Sequence, residues 1–484
     1  MPVPGPGYSI TCRVEAPPST TAAGDLTSAI GRAGGVITAF DVVESHSDRI
    51  VVDITCNALS ADHANDLTEV LNTLDGVRVR KVSDRTFLVH LGGKIEVNSR
   101  VALANRDDLS RAYTPGVARV CTAIAENPED ARRLTVKRNA VAVVTDGSAV
   151  LGLGNLGPEA ALPVMEGKAA LFKKFAGVNA WPVCLDTQDT EEIIRAVELI
   201  APVYGGINLE DIAAPRCFEI EARLREKLDI PVFHDDQHGT AIVVLAALRN
   251  ALRVVDKDIT GCRVVVCGVG AAGSAIIRLL QHKKPADIIA VDIDGIVHNG
   301  RGDEDANLQS IAASTNKDGR TGTLRDALRG ADVFIGVSAP NLLTADDLSV
   351  MNESPVVFAL ANPDPEIDPL EARKHAAVVA TGRSDYPNQI NNVLAFPGVF
   401  RGLLDAHARE INEPMMVAAA NAIADVVDEE RLNASFIVPS VFDSAVAPAV
   451  AEAVKRAARE TGAVAPKPRG GSALPWSMAE DFDF

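Results

Sequence analysis

Hydrophobic and polar residues alternate in several short segments near the start of the chain, and a period of two predicts half-buried β-strands. Four such segments precede residue 90, with the sequences YSITCRV, VITAFDVVE, RIVVDITCN and VRVRKV. Two further segments, DLTSAIGRAGG and HANDLTEVLNTLDG, have apolar residues at helical spacing and end at glycine, as helices commonly do. The predicted order of elements is therefore βαββαβ.

This order is the ferredoxin-like pattern, and residues 1–90 resemble the ACT family of small-molecule regulatory domains. The resemblance rests on the order of elements and on the turn AGG, and it implies an effector site near Gly34 and Gly35. A domain that serves only for dimerisation is the alternative. We expect a ligand-sensing role.

From residue 91 onwards, short apolar runs each end in acidic, polar or glycine residues, which is typical of parallel strands with chemistry at their carboxyl ends. Residues 91–250 contain the runs VAVVTDG, NAWPVCLD, VYGGINLED and PVFHDD. Residues 251–465 contain CRVVVCGVG, IIAVDID, DVFIGVS, VVFALANP and AAVVATG. We therefore expect an α/β fold, with two doubly wound parallel-sheet domains after the first unit. Residues 466–484 are rich in proline, glycine and acid and are expected to form a C-terminal tail.

Charge and cysteine content narrow the possible partners and compartments. The formal net charge of −18 argues against nucleic acid as a partner, because binding to phosphates requires a basic surface. The seven cysteines form no CxxC pair, which is typical of reduced thiols in the cytoplasm. No apolar run reaches the length of a membrane span, and the first residues do not resemble a signal peptide. We expect a cytoplasmic protein without a membrane partner.

The segment CRVVVCGVGAAGSAIIRLL combines a strand, a GxGxxG turn and a helix, as dinucleotide-binding domains do. Gly268 allows the tight turn, Gly270 lets the backbone approach a pyrophosphate, and Gly273 lets the helix pack on the strand. Ala271 and Ala272 lie between these glycines, where the helix N-terminus favours phosphate. These five residues are the predicted pyrophosphate site.

Asp292 ends the next predicted strand, 19 residues after Gly273. A carboxylate at this distance can accept a hydrogen bond from a ribose 2′-hydroxyl. Since a carboxylate would repel a 2′-phosphate, we expect NAD rather than NADP as the cofactor.

Two pairs of carboxylates follow two predicted strands: Glu210 with Asp211, and Asp235 with Asp236. Oxygen ligands of this kind suit Mg²⁺ or Mn²⁺. Helix capping would explain the first pair alone, but the second pair at another strand end favours a metal site. Lys168, expected early on a helix, is the candidate base, because a nearby cation can lower the pKa of a lysine towards neutrality.

His234 and His238 flank the second carboxylate pair at the spacing of helical zinc ligands. Zinc would require a third nitrogen or sulfur ligand, and no cysteine or histidine cluster stands nearby in the sequence. We therefore expect His234 to be a buried histidine with satisfied hydrogen bonds, and His238 to belong to a turn.

Eight motifs in one order resemble the malic enzyme family in its compact bacterial form. They are SRAYTPGVA, TDGSAVLGLGNLG, PVMEGKAALF, INLEDIAAPRCF, FHDDQHGTA, GVGAAG, ANPDPE and NQINNVLAFPG. The resemblance covers roughly residues 95–440. It implies a malic enzyme N-terminal domain followed by a Rossmann NAD-binding domain. The implied activity is the oxidative decarboxylation of L-malate to pyruvate and CO₂, with reduction of NAD.

The resemblance also implies roles for individual residues. The implied metal ligands are Glu210, Asp211 and Asp236. Lys168 would take the proton from the malate hydroxyl with Asp235 as its partner, and Tyr113 would protonate the enol of pyruvate. Two amides are expected to hold the substrate near the nicotinamide, Asn362 and Asn392. A homodimer is also expected.

The loop TDGSAVLG departs from the family pattern, because Ala149 stands where longer family members carry an arginine that grips a substrate carboxylate. Another group must hold this carboxylate, and the sequence leaves Arg106, Arg111 and Arg383 open as replacements.

Three other functions remain open at this stage. A malate dehydrogenase-like enzyme would stop at oxaloacetate, and a malolactic enzyme would convert malate to lactate. A catalytically inactive sensor that uses the ACT-like unit belongs to a different class, and the intact Tyr113, Lys168 and carboxylates argue against it.

Overall fold

A computed structural model describes residues 4–302 and 305–464. The predicted tail, residues 466–484, lies outside the described residues. Contacts divide the chain between Val97 and Asn98 into two compact units. No helix among the described residues is long and apolar enough to cross a membrane.

The first unit contains the six elements expected from the sequence, and one short helix follows them. The elements are β1 (Gly5–Ala16), α1 (Ala22–Arg32), β2 (Val36–Ser45), β3 (Ile50–Ala58), α2 (Ala61–Asn72), β4 (Arg78–Asp84) and α3 (Arg85–His90). The strands form an antiparallel sheet in the order β2-β3-β1-β4. Alternate residues of β1, such as Cys12 and Val14, are buried in a core with Leu26 and Leu67 of the two helices.

Gly34 and Gly35 form the turn between α1 and β2. Gly34 has a φ of +90°, which disfavours other residues. A Cβ on Gly35 would lie 2.8 Å from the Ile30 side chain and 2.9 Å from Leu67. Both glycines are therefore required by the turn and by the packing of the two helices.

The second unit contains the remaining helices and strands. Its first half comprises α4 (Arg106–Ala112), α5 (Val117–Glu126), α6 (Ala131–Leu134), β5 (Ala140–Thr145), α7 (Pro158–Ala176), β6 (Asn179–Cys184), α8 (Thr190–Ile200), β7 (Gly206–Leu209), α9 (Arg216–Lys227), β8 (Val232–His234) and α10 (Thr240–Val254). Its second half comprises β9 (Arg263–Cys267), α11 (Ala271–Gln281), β10 (Asp287–Asp292), β11 (Gly295–Ile296), α12 (Ala306–Ser314), α13 (Leu324–Leu328), β12 (Val333–Gly336), α14 (Ala345–Leu348), β13 (Val356–Ala359), α15 (Pro369–Ala372), β14 (Val378–Thr381), α16 (Phe396–Ala406), α17 (Glu413–Asp425) and α18 (Val446–Glu460).

Two sheets organise this unit, as the apolar runs predicted. The first sheet is parallel, with the order β6-β5-β7-β8. The second has the order β11-β10-β9-β12-β13-β14 and is parallel except for β11. This short antiparallel edge strand was not predicted, because two residues carry no periodic signal.

Helix α10 leads the chain from the first sheet to the second, and it is buried along nearly its whole length. One continuous core packs against it from both sheets, with Val141 and Val143 from β5 and Val264 and Val266 from β9. Parallel strands with buried faces require such apolar cover. The polar chemistry of this unit therefore lies at the strand ends.

Candidate metal and dinucleotide site

The two predicted carboxylate pairs follow neighbouring strands of the first sheet. β7 ends at Leu209, directly before Glu210 and Asp211, and β8 ends at His234, directly before Asp235. One oxygen each of Glu210, Asp211 and Asp236 lies within 4.8 Å of the others. The structure thus brings together the three residues expected to bind a metal.

The electrostatics of this cluster fit a cation. Burial and the charge of neighbouring carboxylates hold the pKa of Glu210 well above its usual value, although Lys168 opposes this. Burial and the charge of Asp236 raise the pKa of Asp211 to about 7. Asp211 Oδ2 is buried, and it has no hydrogen-bond partner in the described part of the chain. A divalent ion with oxygen ligands would satisfy this atom and the accumulated negative charge.

Lys168 reaches the cluster from the middle of α7 rather than from its beginning, where the sequence analysis expected it. Its ammonium forms ion pairs with Asp235 and, at 2.8 Å, with Glu210 Oε1. It also lies 4.1 Å from the centre of the Phe396 ring.

The neighbouring carboxylates raise the pKa of Lys168 in this structure. Burial alone would lower it, but the negative charges of Asp235 and Glu210 outweigh burial. The expectation considered a nearby cation, whereas in this structure two carboxylates surround the ammonium. Lys168 is therefore charged in the absence of a metal.

The predicted amides have different surroundings. Asn392 donates to Asp235 Oδ2 at 3.1 Å and accepts from the Thr240 hydroxyl at 3.2 Å. It therefore belongs to the same group as Lys168. Asn362 lies after β13 and is exposed.

Tyr113 directly follows α4, and the residue is 67% exposed. Within the single chain, the phenol is therefore open to solvent rather than enclosed in a pocket.

The carboxylates Asp235 and Asp236 belong to a single π-helical turn, Asp235–Gly239, which leads into α10. His238 lies in this turn, and its Nε2 is within 2.8 Å of Glu221 Oε1. His234 is completely buried, but neither of its ring nitrogens has a hydrogen-bond partner among the described residues. His234 is therefore buried as expected, but without the expected hydrogen bonds among the described residues, and its Nδ1 lies 3.7 Å from Asp236 Oδ2.

Glu221 was missed by the sequence analysis. Its carboxylate also accepts from the His234 backbone N–H and from Gln237 Nε2, each at 3.2 Å. No short motif marks this residue, because its partners lie on another element.

The dinucleotide turn lies between β9 and α11, as predicted. Gly268 has a φ of +95°, and a Cβ on Gly273 would lie 1.8 Å from the Gly268 carbonyl oxygen. A Cβ on Gly270 would meet no atom within 4 Å among the described residues. The turn therefore has open space beside Gly270, next to Ala271 and Ala272 at the start of α11. This geometry fits a pyrophosphate.

Asp292 is the last residue of β10 and lines a cavity of about 260 Å³ together with Gly270. Its carboxylate forms an ion pair with Arg301. The sequence analysis did not identify this arginine.

The arginines considered as replacements at Ala149 have other contacts or are exposed. Arg111 contacts Asp108 and its side chain is 74% exposed, and Arg106 is exposed at the start of α4. Arg383 contacts Asp385 and Asp364. The contacts of the described residues favour none of the three.

Three clustered carboxylates at the strand ends of one parallel sheet and a dinucleotide turn in the next sheet are the arrangement expected of a metal-dependent oxidoreductase that uses a dinucleotide. Two family models match the chain: the N-terminal domain of malic enzyme over residues 92–225 and the NAD-binding domain of malic enzyme over residues 237–459. The chain therefore belongs to the malic enzyme family. This match confirms the predicted membership of the malic enzyme family and the predicted Rossmann-type NAD-binding domain.

Similar proteins and solved structures support this assignment. The NAD-dependent malic enzyme of Geobacillus stearothermophilus is 57% identical over 458 residues, which cover 95% of this chain and 96% of that relative. The bifunctional malic/malolactic enzyme of Bacillus subtilis is 55% identical over 372 residues, which cover 76% of this chain and 91% of that relative. The solved structure of the NAD-dependent malic enzyme of Thermotoga maritima is 48% identical, with a TM-score of 0.74, over 77% of this chain and 99% of that chain.

Proposed function

We propose that this protein catalyses the oxidative decarboxylation of L-malate to pyruvate and CO₂, with NAD as the hydride acceptor and Mg²⁺ or Mn²⁺ as the metal. The observation that carries the proposal is the convergence of Glu210, Asp211 and Asp236 within 4.8 Å, with Lys168 paired to Glu210 beside them. In a member of the malic enzyme family, this arrangement supports the three carboxylates as metal ligands and Lys168 as the base for the malate hydroxyl.

The three carboxylates would hold the cation, leaving positions for substrate oxygens. When bound, the cation supplies a Lewis acid that polarises the C2 oxygen and stabilises the developing enolate, and the nicotinamide accepts the hydride. The protein contributes buried side chains, Lys168, Glu210 and Asp211, whose charges are little screened by water.

We propose that Lys168 Nζ takes the proton from the malate hydroxyl. A base must be neutral, whereas Asp235 and Glu210 stabilise the ammonium. Binding of a cation to Glu210 would take one of these two carboxylates away from Lys168 and would favour the neutral amine. Asp235 keeps Lys168 in place, and Asn392 in turn orients Asp235 through the bond of 3.1 Å.

Tyr113 is proposed as the acid that protonates the enol, and Asn362 as a ligand for the cofactor and substrate. An acid in a decarboxylating site should be shielded from water, but Tyr113 is 67% exposed in the single chain. Apolar neighbours of the same segment are also exposed: Val101 at 57%, Leu103 at 58% and Leu109 at 52%. An exposed apolar surface of this kind is typical of protein contacts.

We therefore propose a homodimer in which a second copy of the chain covers the segment 98–126. In this dimer, Tyr113 of one chain would act as the acid in the site that contains the partner's Lys168. Co-expression of Tyr113→Phe with Lys168→Ala tests this arrangement, since mixed dimers should regain activity that neither variant has alone. An inactive mixture would place both residues in one chain, and a monomer in light scattering would reject the dimer.

We further propose that the first unit is a ferredoxin-like ACT domain that binds a small effector near Gly34 and Gly35. The element order and the antiparallel sheet β2-β3-β1-β4 support this. Such an effector alters catalysis only if it prefers one of two states of the enzyme. Deletion of residues 1–90 should leave activity but remove the response to effectors, and an unchanged response would reject the proposal.

We also propose a cytoplasmic location, because all seven cysteines are free. The absence of nucleic acid and membrane partners stays a prediction from charge and hydropathy.

The first experiment is an assay of the purified protein with L-malate and Mn²⁺, with NAD and NADP tested separately. Metal-dependent reduction of NAD with an equal amount of pyruvate is the expected result. Accumulated oxaloacetate would indicate a malate dehydrogenase-like enzyme. Lactate without net cofactor reduction would indicate malolactic activity, which the name of the Bacillus subtilis relative keeps open. No turnover with either cofactor would favour an inactive sensor.

A further inference from the structure

Asp211, one of the three clustered acids, has a backbone conformation that residues other than glycine rarely adopt. Its φ is +53°, in the left-handed region. A residue in this conformation is strained, and it persists only where its surroundings hold it in place. The position of the Asp211 carboxylate therefore depends on the contacts that hold this turn.

The loop after β5 contacts the turn at two points. Ala149 N–H donates to the Asp211 carbonyl oxygen at 3.0 Å. Two residues further along the turn, Ala213 N–H donates to Ser148 Oγ at 2.9 Å. On its other side, the Asp211 N–H donates to Asp236 Oδ2 at 2.9 Å. Ser148 and Ala149 thus hold the backbone on both sides of the strained residue.

Ser148 is itself held by a buried acid and an arginine. Its hydroxyl donates to Asp146 Oδ1 at 2.5 Å and accepts from Arg216 Nη2 at 3.0 Å. A hydroxyl has one donor and two acceptor positions, and the bond from Ala213 N–H occupies the last of them. Asp146 is 1% exposed, and its Oδ2 accepts from Arg216 Nη2 at 2.9 Å. The orientation of the Ser148 hydroxyl is therefore fixed.

Arg216 connects the loops that follow three neighbouring strands of the first sheet. It is the first residue of α9, which comes after β7, and its contacts with Asp146 and Ser148 reach the loop after β5. Its Nη1 donates to the Gln188 carbonyl oxygen, in the loop after β6, at 2.7 Å. Asp146, Ser148 and Arg216 are called the Asp146 network below. None of them belongs to the cluster of three acids.

We propose that the Asp146 network keeps Asp211 in its left-handed conformation and thereby makes the metal site selective for Mg²⁺ over Ca²⁺. This inference rests on the proposed function of Glu210, Asp211 and Asp236 as metal ligands. Mg²⁺ requires near-ideal octahedral geometry with short bonds, whereas Ca²⁺ accepts longer bonds and a flexible arrangement of ligands. A rigid ligand turn favours the first ion, and a loosened turn admits the second. The network residues are therefore positioning residues.

The test measures metal binding to the full-length protein, so that it does not depend on catalysis. Electron paramagnetic resonance follows the binding of Mn²⁺, and competition against Mn²⁺ gives the dissociation constants for Mg²⁺ and Ca²⁺. Ser148→Ala removes the hydroxyl without changing a charge. It should raise the dissociation constant for Mg²⁺ about 10-fold, as for other residues that support metal ligands. The constant for Ca²⁺ should rise much less, because Ca²⁺ tolerates a displaced ligand.

Three further variants complete the comparison. Ser148→Thr keeps the hydroxyl and should restore the preference for Mg²⁺. Arg216→Gln should shift the preference in the same direction as Ser148→Ala, but it leaves the Asp146 carboxylate buried without its partner. Ser148→Ala therefore remains the decisive variant if Arg216→Gln folds poorly.

Arg223→Gln is the matched control. Arg223 lies on the same helix, its side chain is 30% exposed against 29% for Arg216, and it pairs with Glu191 and Glu219. This variant should change neither dissociation constant.

Two results would overturn the proposal. Equal losses of Mg²⁺ and Ca²⁺ affinity in Ser148→Ala would show that the network supports the fold without setting selectivity. Unchanged affinities would show that Asp211 keeps its conformation without the network. An unmodified protein that bound no Mn²⁺ would instead reject the proposed metal site itself, so the two proposals fail on different measurements.

Discussion

His238 Nε2 contacts both carboxylate oxygens of Glu221, at 2.8 and 2.9 Å, and this pair supports the turn that contains Asp235 and Asp236. Burial acts to raise the pKa of Glu221, but the charge and hydrogen bond of His238 outweigh it, so the pKa is lowered. Glu221 therefore stays ionised. Its further contacts with the His234 N–H and with Gln237 connect α9 to both ends of the segment that contains Asp236.

The different roles of Asp236 and His238 can be separated by substitution. Asp236→Asn should abolish binding of Mn²⁺, because it removes a charged ligand from the three-carboxylate cluster. His238→Ala should bind Mn²⁺ with the same stoichiometry but unfold at a lower temperature, since Glu221 loses its partner in a buried position. Electron paramagnetic resonance of free Mn²⁺ measures metal binding in both variants, and thermal unfolding measures their stability. Loss of the metal in His238→Ala with retention in Asp236→Asn would mean that the histidines, not the carboxylates, bind the ion.

Glu221 should influence the metal site without touching it. Glu221→Gln removes the charge but keeps the shape, and we expect it to lower the free energy of unfolding by about 2 kcal/mol. We also expect the Mn²⁺ dissociation constant to rise about 10-fold, as for other residues that support ligands.

Glu219 on the same helix is the matched control. It pairs with Arg223, its side chain is 57% exposed, and Glu219→Gln should change neither quantity. Denaturant titration and calorimetry measure the two effects. If Glu221→Gln and Glu219→Gln had the same stability and the same affinity for Mn²⁺, the turn Asp235–Gly239 would be held by the packing of α10 alone.

The strands could be predicted because the fold repeats a simple pattern. Apolar runs such as VAVV and RVVVC are long enough to indicate buried parallel strands. The acids that follow β7 and β8 meet at one edge of the first sheet, because these two strands are parallel neighbours. The sequence also indicated the dinucleotide turn, because its glycines have fixed spacing. Helix α3 and strand β11 were too short to give a signal.

The supporting contacts could not be predicted in the same way. Glu221 and His238 are 17 residues apart, and Arg301 is 9 residues from Asp292. Neither separation follows a helix or strand period, so each pair becomes visible only when the elements are packed. The ring of His234, which has no hydrogen bond among the described residues, is a similar case, since sequence indicates burial but not which donors and acceptors surround the side chain.

The pKa of Asp211, raised by burial and by Asp236 to about 7, predicts a pH-dependent affinity for metal. Below this pH the carboxyl group is protonated, so that metal binding must release a proton. The apparent dissociation constant for Mn²⁺ should therefore rise about tenfold per pH unit below 7 for one released proton. The raised pKa of Glu210 should add a second released proton.

The same shift affects the stability of the metal-free enzyme. The pKa of Asp211 is higher in the folded than in the unfolded chain, so its contribution favours folding at low pH and is lost as the pH rises through about 7. The increase in Tm caused by Mn²⁺ should therefore grow between pH 5.5 and 8. Calorimetry in two buffers of different ionisation enthalpy counts the released protons. A constant affinity and no proton release over this range would contradict the prediction.

Two glycines of the dinucleotide turn should respond oppositely to the same substitution. A Cβ on Gly273 would lie 1.8 Å from the Gly268 carbonyl oxygen and 3.3 Å from the Val337 side chain. Since backbone must move to admit it, Gly273→Ala should lower the free energy of unfolding by about 1–3 kcal/mol. A Cβ on Gly270 meets no described atom within 4 Å, so Gly270→Ala should fold normally.

The binding of NAD should show the complementary result, because the open space beside Gly270 is where a pyrophosphate would approach the backbone. We expect Gly270→Ala to raise the dissociation constant for NAD about tenfold, an effect of about 1.4 kcal/mol. The Tm of the variant in the absence of cofactor should stay unchanged. Thermal unfolding and calorimetry with NADH separate the two effects. If Gly270→Ala bound NADH normally, the open space beside α11 would not be the pyrophosphate site, and the cofactor would have to enter the unit elsewhere.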